Sequence, residues 1–477
     1  MAATTTTGRT ALPALVPAAM LTAVTAGDMV NLVLPDIGAR FDATEAELAW
    51  VVTGFLLVFS VGIPLYGRVS DRFSLRRLFA SALLAFAVGS AVCALAPSLL
   101  VLVAGRVVTG IGAAAIPVLS IIAVTRLMPA DQRGAGIGVV SAGAGVGTAA
   151  GPAVGGLVGQ LLGWPALFWI TLVMSLVLVP VALRVLPDEA PAASGPIDML
   201  GGVLLALGAG LVLLGMTRAQ VAGFAEPSAW GSLLAAVVAL FLFGWRAFRV
   251  EHPFVPPALF ANRTYRTGLL IAFPAMVVNL GGLVFVALLV VEVNGLTPGR
   301  GALAMIPAGV AVAVLSPLIG RLPDHIGRRT LVLTGLALMG LFALYLSTFT
   351  GSASPIPAGI GILGLSIGFA LVMTTLVNSA AAELPAEQAG TGLGILQGVQ
   401  FLGAATGPAV FGVLVSARGQ SGAGAVNPFH SGPEGAAYSD VFLTMAVVVV
   451  VTLVIASRLR PTTDVRPGKD VARNRGD

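Results

Sequence analysis

The chain has 477 residues, of which 57% are apolar and only 10% are charged, and its formal net charge is +5. Soluble domains usually carry about a quarter charged residues, so we expect most of this chain to face lipid or other helices. We assign the positive charge to loops on one side of a membrane, and we predict no nucleic-acid partner. Because Cys93 is the single cysteine, no disulfide within the chain is expected.

Apolar stretches of about 20 residues predict membrane-spanning helices, because a helix of that length crosses a bilayer. Fourteen such stretches follow one another along the chain. An even number of spans places both termini on the same side of the membrane. The stretches lie near residues 13–35, 46–66, 78–97, 99–126, 134–160, 165–186, 198–217, 228–248, 266–293, 299–320, 330–350, 354–382, 390–416 and 438–457.

Most of the arginine lies in alternate connecting segments. These are 67–77, 126–133, 246–266 and 321–329, together with the tail at 458–477. Short loops rich in arginine stay on the cytoplasmic side of a membrane. We therefore predict a multi-pass protein of the cell membrane, in contact with the lipid bilayer, with both termini in the cytoplasm.

Two segments of the first half recur in the second half at nearly constant spacing. The sequence PLYGRVSD (64–71) returns as PLIGRLPD (317–324), and GTAAGPAVGG (147–156) returns as GAATGPAVFG (403–412). Such paired halves are typical of transporters that rock one half against the other. The predicted units are an N-terminal six-helix half at 1–190, an inserted pair of helices at 191–262, a C-terminal six-helix half at 263–460 and a cytoplasmic tail at 461–477.

Two charged residues lie inside predicted spans and are candidates for proton coupling. Asp28 is the acidic residue best placed within a span, and Arg106 lies in span four far from any other charge. Charged side chains are costly in lipid and often functional. Two alternatives stay open: Asp28 as a partly solvated residue near a kinked helix end, and Arg106 as a structural residue held by backbone carbonyls.

The first repeated segment supplies a candidate cytoplasmic gate. A carboxylate in this loop can meet a helix N-terminus and neighbouring arginines, and so latch the cytoplasmic side in one state. The alternative is an ordinary basic loop that only sets topology. The candidate gate residues of the two copies are Gly67, Asp71, Arg72, Arg76, Asp324 and Arg328.

The second repeated segment carries glycine at every fourth residue of span five, from Gly143 to Gly159. Such a stripe lets a neighbouring helix approach closely, and Pro152 is expected to kink the span. General helix packing is the alternative explanation. In the second copy Phe411 interrupts the stripe, which predicts a looser neighbour at Gly407.

These segments resemble signatures of the major facilitator superfamily. Residues 67–77 resemble its loop signature G-x-L-A-D-r-x-G-r-k. Gly147, Gly151, Pro152, Gly155 and Gly156 match every fixed position of the signature that marks antiporters within it. The resemblance implies an all-α membrane fold with two pseudo-symmetric six-helix halves plus two inserted central helices.

Within this superfamily the chain is most similar to fourteen-span drug:proton antiporters, which include the tetracycline exporters of Gram-positive bacteria. Asn31 and Pro35 hold the spacing of their first-span signature, although Asp28 lies out of register with its acidic residue. The tetracycline exporters have an acidic residue in span thirteen near Ala404 of this chain. That difference argues against a metal–tetracycline substrate.

Polar residues in the later spans are candidates for a substrate cavity. Gln397 and Gln400 lie three residues apart and share a helix face. Hydrogen bonding between helices is an equally good alternative role for such residues. The candidate cavity residues are Asn31, Phe55, Asn279, Asn378, Gln397 and Gln400.

The sequence therefore predicts a proton-coupled antiporter that exports small amphipathic drugs or toxic compounds from the cytoplasm. Export of the organism's own specialised metabolite is the main alternative, and a proton-linked importer conflicts with the Gly147–Gly156 signature. No catalytic set is found, because His252, His325 and His430 all lie in loops. We predict no enzyme activity, no metal site and no cofactor besides the proton gradient. The expected state is a monomer acting on protons and a small-molecule substrate.

The topology can be tested with reporter fusions. Fusions after Arg133 and Arg263 are expected to report the cytoplasm, and a fusion near Gly422 the exterior, because arginine-rich segments stay inside. An exterior signal after Arg263 would show that the pair at 198–248 does not cross twice. The fourteen-span topology would then be wrong.

Overall fold

The computed structural model describes residues 6–188, 198–296, 301, 303–322, 326–351, 354–385, 387–421, 424–430 and 435–459. Within these ranges the chain is built from long α-helices joined by short connections. The first seven are α1 Thr6–Asp28, α2 Leu34–Phe41, α3 Glu45–Ser70, α4 Leu75–Ala94, α5 Leu99–Leu127, α6 Ala130–Leu162 and α7 Trp164–Val185. A 3-10 turn, Met29–Val33, joins α1 to α2.

The remaining helices form the inserted pair and the second half. The inserted pair is α8 Met199–Ala222 and α9 Pro227–Ala247. The second half contains α10 Ala258–Ala261, α11 Arg263–Glu292, α12 Ile306–Ile319, α13 Arg328–Phe349, α14 Ile356–Glu383, α15 Ala389–Ser421 and α16 Ala436–Ala456.

Every predicted span overlaps a helix of the described residues. Among the described residues, twelve helices are long and apolar enough to cross a membrane. The two spans outside this set are glycine-rich α6 and α12, which has 14 residues. The all-α membrane fold is confirmed, whereas the number of fourteen crossings and the exact unit boundaries stay predictions. The tail 461–477 and residues 189–197, which precede the inserted pair of helices, lie outside the described residues.

Polar side chains fix where several helices begin. Thr44 and Glu47 form a capping box at the start of α3, and Ser98 accepts a hydrogen bond from the first turn of α5. Asn262 accepts hydrogen bonds from the first turn of α11, and Asp198 does the same for α8. Such caps satisfy amide groups that have no partner within the helix.

Two seams join the halves. Helix α6 of the first half packs against α12 of the second, and α3 packs against α15. The two seams are related by the internal repeat, since α6 and α15 carry its two copies. We call the helix ends next to the loops at 67–77, 126–133 and 321–329 the arginine-rich end.

The inserted helix α8 packs against α3 and α15, so it contacts both helices of one seam. Asp198 at its start also forms an ion pair with Arg246 at the end of α9, with the Nε and Oδ1 atoms 2.9 Å apart. Beyond α9, the carbonyl oxygen of Pro253 accepts a hydrogen bond from Arg68 of α3 at 3.2 Å. The segment that follows the inserted pair is therefore bonded to the C-terminal end of α3, next to the loop at 67–77.

The glycine stripe of α6 lies against α1, within the same half. A Cβ atom on Gly155 would clash with the carbonyl oxygen of Met29. The second copy is packed just as closely, because a Cβ atom on Gly407 would clash with the carbonyl oxygen of Val277 in α11. The expected looser neighbour at Gly407 is wrong. The ring of Phe411 is accommodated by Gly281 of α11, whose missing side chain leaves room for it.

We predict that leucine at Gly155 and leucine at Gly407 destabilise the protein by similar amounts, about 1–3 kcal/mol each, because both overfill a close helix contact. The measurement is the fraction of purified protein that stays monodisperse after heating. Gly231→Leu on α9 is the control, since its Cβ position has no neighbour within 4 Å. Equal behaviour of Gly407→Leu and Gly231→Leu would contradict the close packing of the second copy.

Candidate functional site

Arg106 on α5 is completely buried and joins three helices. Its Nε donates to the carbonyl oxygen of Val51 on α3, and its Nη1 donates to that of Ala26 on α1, both at 3.0 Å. The guanidinium carbon lies 4.2 Å from the ring centroid of Phe55. Such a cation over a ring is favourable by up to about 2 kcal/mol when desolvated. The Nη2 atom is buried and has no hydrogen-bond partner among the described residues.

Asp28 lies at the end of α1, two residues beyond the carbonyl that Arg106 binds. Its partly exposed carboxylate forms no hydrogen bond and no ion pair with any residue that the structure describes. A Cβ atom on Gly151 would lie 2.7 Å from the Cβ atom of Asp28. Glycine at 151 therefore sets how closely α6 approaches the Asp28 backbone. The structure brings Asp28, Arg106 and Gly151 to one region without a direct bond between the two charges.

The glycines of the antiporter-like signature all face α1 or its continuation. A Cβ atom on Gly147 would lie 2.8 Å from Cβ of Val24, and one on Gly156 would lie 3.5 Å from Cδ1 of Leu32. The side chain of Pro152 is outside the described part of the chain. The signature therefore fixes contacts inside the first half rather than between the halves.

Asp71 connects the two halves at the arginine-rich end. Its buried carboxylate accepts hydrogen bonds from the backbone amides of Gly390 and Thr391, at 3.0 and 2.9 Å, and from the Thr391 hydroxyl at 2.7 Å. Arg126 of α5 donates to the same carboxylate at 3.1 Å. Gly390 and Thr391 belong to the first turn of α15, where the helix dipole favours a negative charge. Burial raises the pKa of Asp71, and the hydrogen bonds from Thr391 oppose that shift.

Backbone meets backbone beside Asp71. A Cβ atom on Gly67 would lie 2.5 Å from the carbonyl oxygen of Gly390, so neither position has room for a side chain. The other seam has the same arrangement, because a Cβ atom on Gly320 would lie 2.5 Å from the carbonyl carbon of Gly134. Asn378 of α14 also donates to the carbonyl oxygen of Gly320, at 3.3 Å.

Both seams become looser away from the arginine-rich end. On α15, a Cβ atom on Gly398 would meet Pro64 at 3.5 Å, which is ordinary van der Waals contact. On α6, a Cβ atom on Gly145 would meet Val312 at 3.5 Å. The halves are thus closed most tightly at one end of the molecule.

Among the described residues, Arg72, Arg76 and Arg328 form no hydrogen bond or ion pair between the halves. Arg328 pairs with Glu383 of α14, inside the second half. The Nε and Nη1 atoms of Arg72 are buried and without a hydrogen-bond partner among the described residues, and Asp324 is outside those residues. Arg76 lies near Asp188 at the surface.

Asp188 forms a surface contact with the loop at 67–77. It accepts hydrogen bonds from Ser74 at 2.6 Å and from Arg77 at 3.0 Å, and these bonds lower its pKa. Both partners of the ion pair are exposed, so the pair is expected to add little stability.

The six candidate cavity residues have different surroundings. Phe55 is buried beneath Arg106, and Asn378 belongs to the contact at Gly320. Asn279 is buried on the face of α11 that packs on α14, since Gly282 one turn later lies against Leu365.

The remaining three candidates belong to two elements. Asn31 is exposed on the turn after α1, whereas Gln397 and Gln400 lie on α15. The Nε2 atom of Gln400 is buried without a hydrogen-bond partner among the described residues.

The sequence analysis did not identify the residues that donate hydrogen bonds to the Asp71 carboxylate, namely Gly390, Thr391 and Arg126. The repeat carried a usable signal, because Gly134 and Gly390 are separated by 390 − 134 = 256, the offset of the repeated segments. Once Gly67 and Gly320 are identified as equivalent, the symmetry predicts that their partners are equivalent too.

The amino-acid sequence is similar to those of one known protein family and of several known proteins. The family model of the Major Facilitator Superfamily matches residues 18–408 and 258–476. Multidrug resistance protein Stp of Mycobacterium tuberculosis is 31% identical over 392 residues, covering 82% of this chain and 72% of that protein. The tetracenomycin C resistance and export protein of Streptomyces glaucescens is 30% identical over 393 residues, covering 82% and 73%. Lincomycin resistance protein LmrB of Listeria monocytogenes is 27% identical over 388 residues, covering 81% and 82%.

Two solved structures share the fold. The human organic anion transporter MFSD10 (TETRAN) superposes with a TM-score of 0.68 at 18% identity, covering 94% of this chain and 99% of that one. The proton:xylose symporter XylE superposes with a TM-score of 0.65 at 16% identity, covering 95% and 96%. At these identities the likeness concerns the fold alone.

We predict that Asp71→Asn loosens the arginine-rich end, because it removes the charge that holds the α15 N-terminus and leaves Arg126 without its partner. The measurement is the labelling rate of a cysteine at Leu393, which is completely buried in α15, by a membrane-impermeant maleimide in a chain with Cys93→Ser. The rate is expected to rise about tenfold or more, which corresponds to roughly 1.4 kcal/mol.

Asp188→Asn is the matched control for that experiment. It also removes a carboxylate paired with arginine, but at the surface, so the labelling rate of the cysteine is expected to stay unchanged. Equal rates for Asp71→Asn and Asp188→Asn would show that Asp71 does not hold this end closed.

Proposed function

The chain belongs to the Major Facilitator Superfamily, and we propose that it is a proton-coupled antiporter that exports small amphipathic drugs or toxic compounds from the cytoplasm. It is a multi-pass membrane transporter rather than an enzyme. The orientation with both termini and the arginine-rich end in the cytoplasm is part of the proposal, and it is supported by the distribution of arginine.

The substrate class is supported by the relatives. Their names describe a multidrug resistance protein, a lincomycin resistance protein and a tetracenomycin C resistance and export protein. Export of a single specialised metabolite made by the same organism is the second candidate, and the relative whose name gives one compound, tetracenomycin C, favours a dedicated exporter. Either substrate would be a small molecule that leaves the cell.

The observation that carries the proton-coupled mechanism is the pair of unsatisfied charged groups in the first half. Within the part of the chain that the structure describes, the buried Nη2 of Arg106 has no hydrogen-bond partner, and the Asp28 carboxylate forms no hydrogen bond or ion pair. Asp28 is the proposed proton carrier. Protonation removes its negative charge and with it the electrostatic attraction of the Arg106 guanidinium, so the end of α1 is held differently in the two protonation states.

The close contact of α1 with the α6 glycine stripe transmits that change. Because Gly151 and Gly155 leave no gap between the two helices, a shift of α1 near Asp28 also moves α6. Helix α6 forms one seam with the second half through Gly134 and Gly320. Proton binding at Asp28 is thereby linked to the seam between the halves.

The proposed cytoplasmic gate is the set of contacts at the arginine-rich end. In the closed form Asp71 binds the first turn of α15, and the glycine backbones of both seams touch. Opening requires these contacts to separate together, since the two halves move as packed bodies. Substrate enters from the cytoplasm when they are apart and leaves on the opposite side when they are closed.

The export function is tested by the drug susceptibility of a pump-deficient host that produces this chain. The panel contains dyes, quaternary amines, tetracycline and fluoroquinolones, and Arg106→Ala at matched protein level is the inactive control. At least one class is expected to show a fourfold or greater rise in inhibitory concentration that Arg106→Ala abolishes. No rise for any compound, with the protein present in the membrane, would contradict drug export.

Proton coupling is tested with Asp28→Asn in inverted membrane vesicles. We predict that this variant loses the dependence of drug accumulation on the imposed pH gradient, because an amide does not bind the coupling proton. Asp36→Asn is the matched control, since Asp36 lies on the exposed side of α2. An unchanged pH dependence in Asp28→Asn would move the proton site elsewhere.

The role of the guanidinium is tested with Arg106→Lys in the same vesicles. We predict transport below a tenth of the wild-type rate. Lysine keeps the charge but lacks the planar fork that reaches the carbonyl oxygens of Val51 and Ala26 together. Wild-type transport by Arg106→Lys would show that charge alone is sufficient at this position.

A further inference from the structure

The inserted pair of helices and the segment that follows it are held together by one buried carboxylate. Asp198 accepts a hydrogen bond from the backbone amide of Gly201 and another from Nε of Arg246, both at 2.9 Å. The backbone amide of Phe254 contacts the same carboxylate. One acidic side chain therefore joins the start of α8, the end of α9 and the segment beyond α9.

Phe254 packs this segment against the first turn of α8. A Cβ atom on Gly202 would lie 2.9 Å from Cε2 of Phe254, and one on Gly201 would lie 3.1 Å from its Cβ atom. Glycine at these two positions lets the ring lie directly against the α8 backbone. Phe254 and the next residue, Val255, are both buried. The segment is therefore a packed part of the fold.

The same segment is bonded to α3 next to the gate. The carbonyl oxygen of Pro253 accepts a hydrogen bond from Nη2 of Arg68 at 3.2 Å, and the Arg68 side chain is buried. A buried charged donor that loses its partner is costly, so this bond fixes the segment to the end of α3. Arg68 lies three residues before Asp71, which is less than one helical turn. The inserted pair is thus attached to the first half beside the gate carboxylate.

Helix α8 runs along the α3–α15 seam from this point. A Cβ atom on Gly210 would lie 3.4 Å from Cγ2 of Val61 and 3.8 Å from Cδ2 of Leu57, both on α3. Val61 is seven residues before Arg68, so it lies about 10 Å further from the arginine-rich end. Helix α8 also packs against α15 of the second half. It is therefore attached to one half and packed against both.

We propose that the inserted pair holds the arginine-rich end closed, and that Asp198 and Phe254 are positioning residues that act through Arg68. We call this set of contacts the clasp, which consists of Asp198, Arg246, Pro253, Phe254 and Arg68. The inference rests on the proposed gate and adds to it an element that belongs to neither six-helix half.

The effect of the clasp follows from the attachment of α8 to α3. While the clasp is made, separation of the halves removes α8 from α15, and the packing between these two helices is lost. Without the clasp, α8 can follow α15, and the halves separate while keeping that packing. The clasp therefore shifts the equilibrium between closed and open forms toward the closed form.

The test measures how fast a membrane-impermeant maleimide labels a cysteine at Leu393 in a chain with Cys93→Ser. Asp198→Ala and Phe254→Ala are each expected to raise the rate about threefold or more, because α8 is released from α3. Phe254→Leu keeps an apolar side chain against α8 and is expected to label at the wild-type rate. Ser98→Ala is the matched control, since it also removes a helix cap, but at the opposite end of the molecule.

A second reporter separates opening of the gate from unfolding. Met339 on α13 is completely buried inside the second half, where it packs against Gly368 of α14. A cysteine at this position is expected to stay unlabelled in every variant. Equal rises at Leu393 and Met339 would assign Asp198 and Phe254 to general stability and overturn the inference.

The outcomes also separate the clasp from the proposed function. A wild-type rate in Asp198→Ala or in Phe254→Ala would overturn the clasp, and Asp71→Asn then shows whether the gate itself stands. Raised rates in both clasp variants but not in Asp71→Asn would support the clasp and remove Asp71 from the gate. The labelling needs no substrate, so a negative susceptibility panel would contradict drug export and leave this result unchanged.

Discussion

The binding of one buried carboxylate to a helix N-terminus in the opposite half is the interaction on which the rest of this structure depends. Asp71 accepts three hydrogen bonds from the first turn of α15 and one from Arg126. These bonds lie beside the close approach of Gly67 to Gly390 in the α3–α15 seam, and the α6–α12 seam has the same close backbone approach between Gly320 and Gly134. Because such contacts between packed backbones are either made or absent, closure at this end is a discrete state.

Much of the helical framework could be predicted from the sequence, because long apolar stretches bounded by arginine and cap residues leave few alternatives. The span predicted at 99–126 is α5, Leu99–Leu127, and the one at 330–350 is α13, Arg328–Phe349. Arg106 could be identified as well, since a charge within an apolar span is conspicuous. The sequence does not show which neighbour each helix face contacts. The expectation of a looser neighbour at Gly407 was wrong because Gly281, on another helix, accommodates the Phe411 ring.

The candidate site was predictable only in part, because the sequence does not show which residues of distant helices meet. The loop around Asp71 is recognisable locally, but its partners Gly390 and Thr391 are more than 300 residues away and are not polar enough to attract notice. The contact of Phe59 with Phe401 across the α3–α15 seam had no signal in the sequence, because 22 phenylalanines are spread over the chain and only the fold brings these two together. Asn378 illustrates the opposite error, in which a polar residue was assigned to a substrate cavity. Its side chain instead donates a hydrogen bond to the carbonyl oxygen of Gly320.

We propose that both seams at the arginine-rich end open and close together, and the most direct test is a pair of interspin distances in lipid nanodiscs. One pair of labels replaces Phe73 and Glu387 across the α3–α15 seam, and the other replaces Gln132 and Arg321 across the α6–α12 seam; all four positions are exposed. Asp71→Asn is expected to add a longer-distance population to both pairs, in equal proportion. A longer population at one seam alone, or at neither, would contradict closure by a single shared gate.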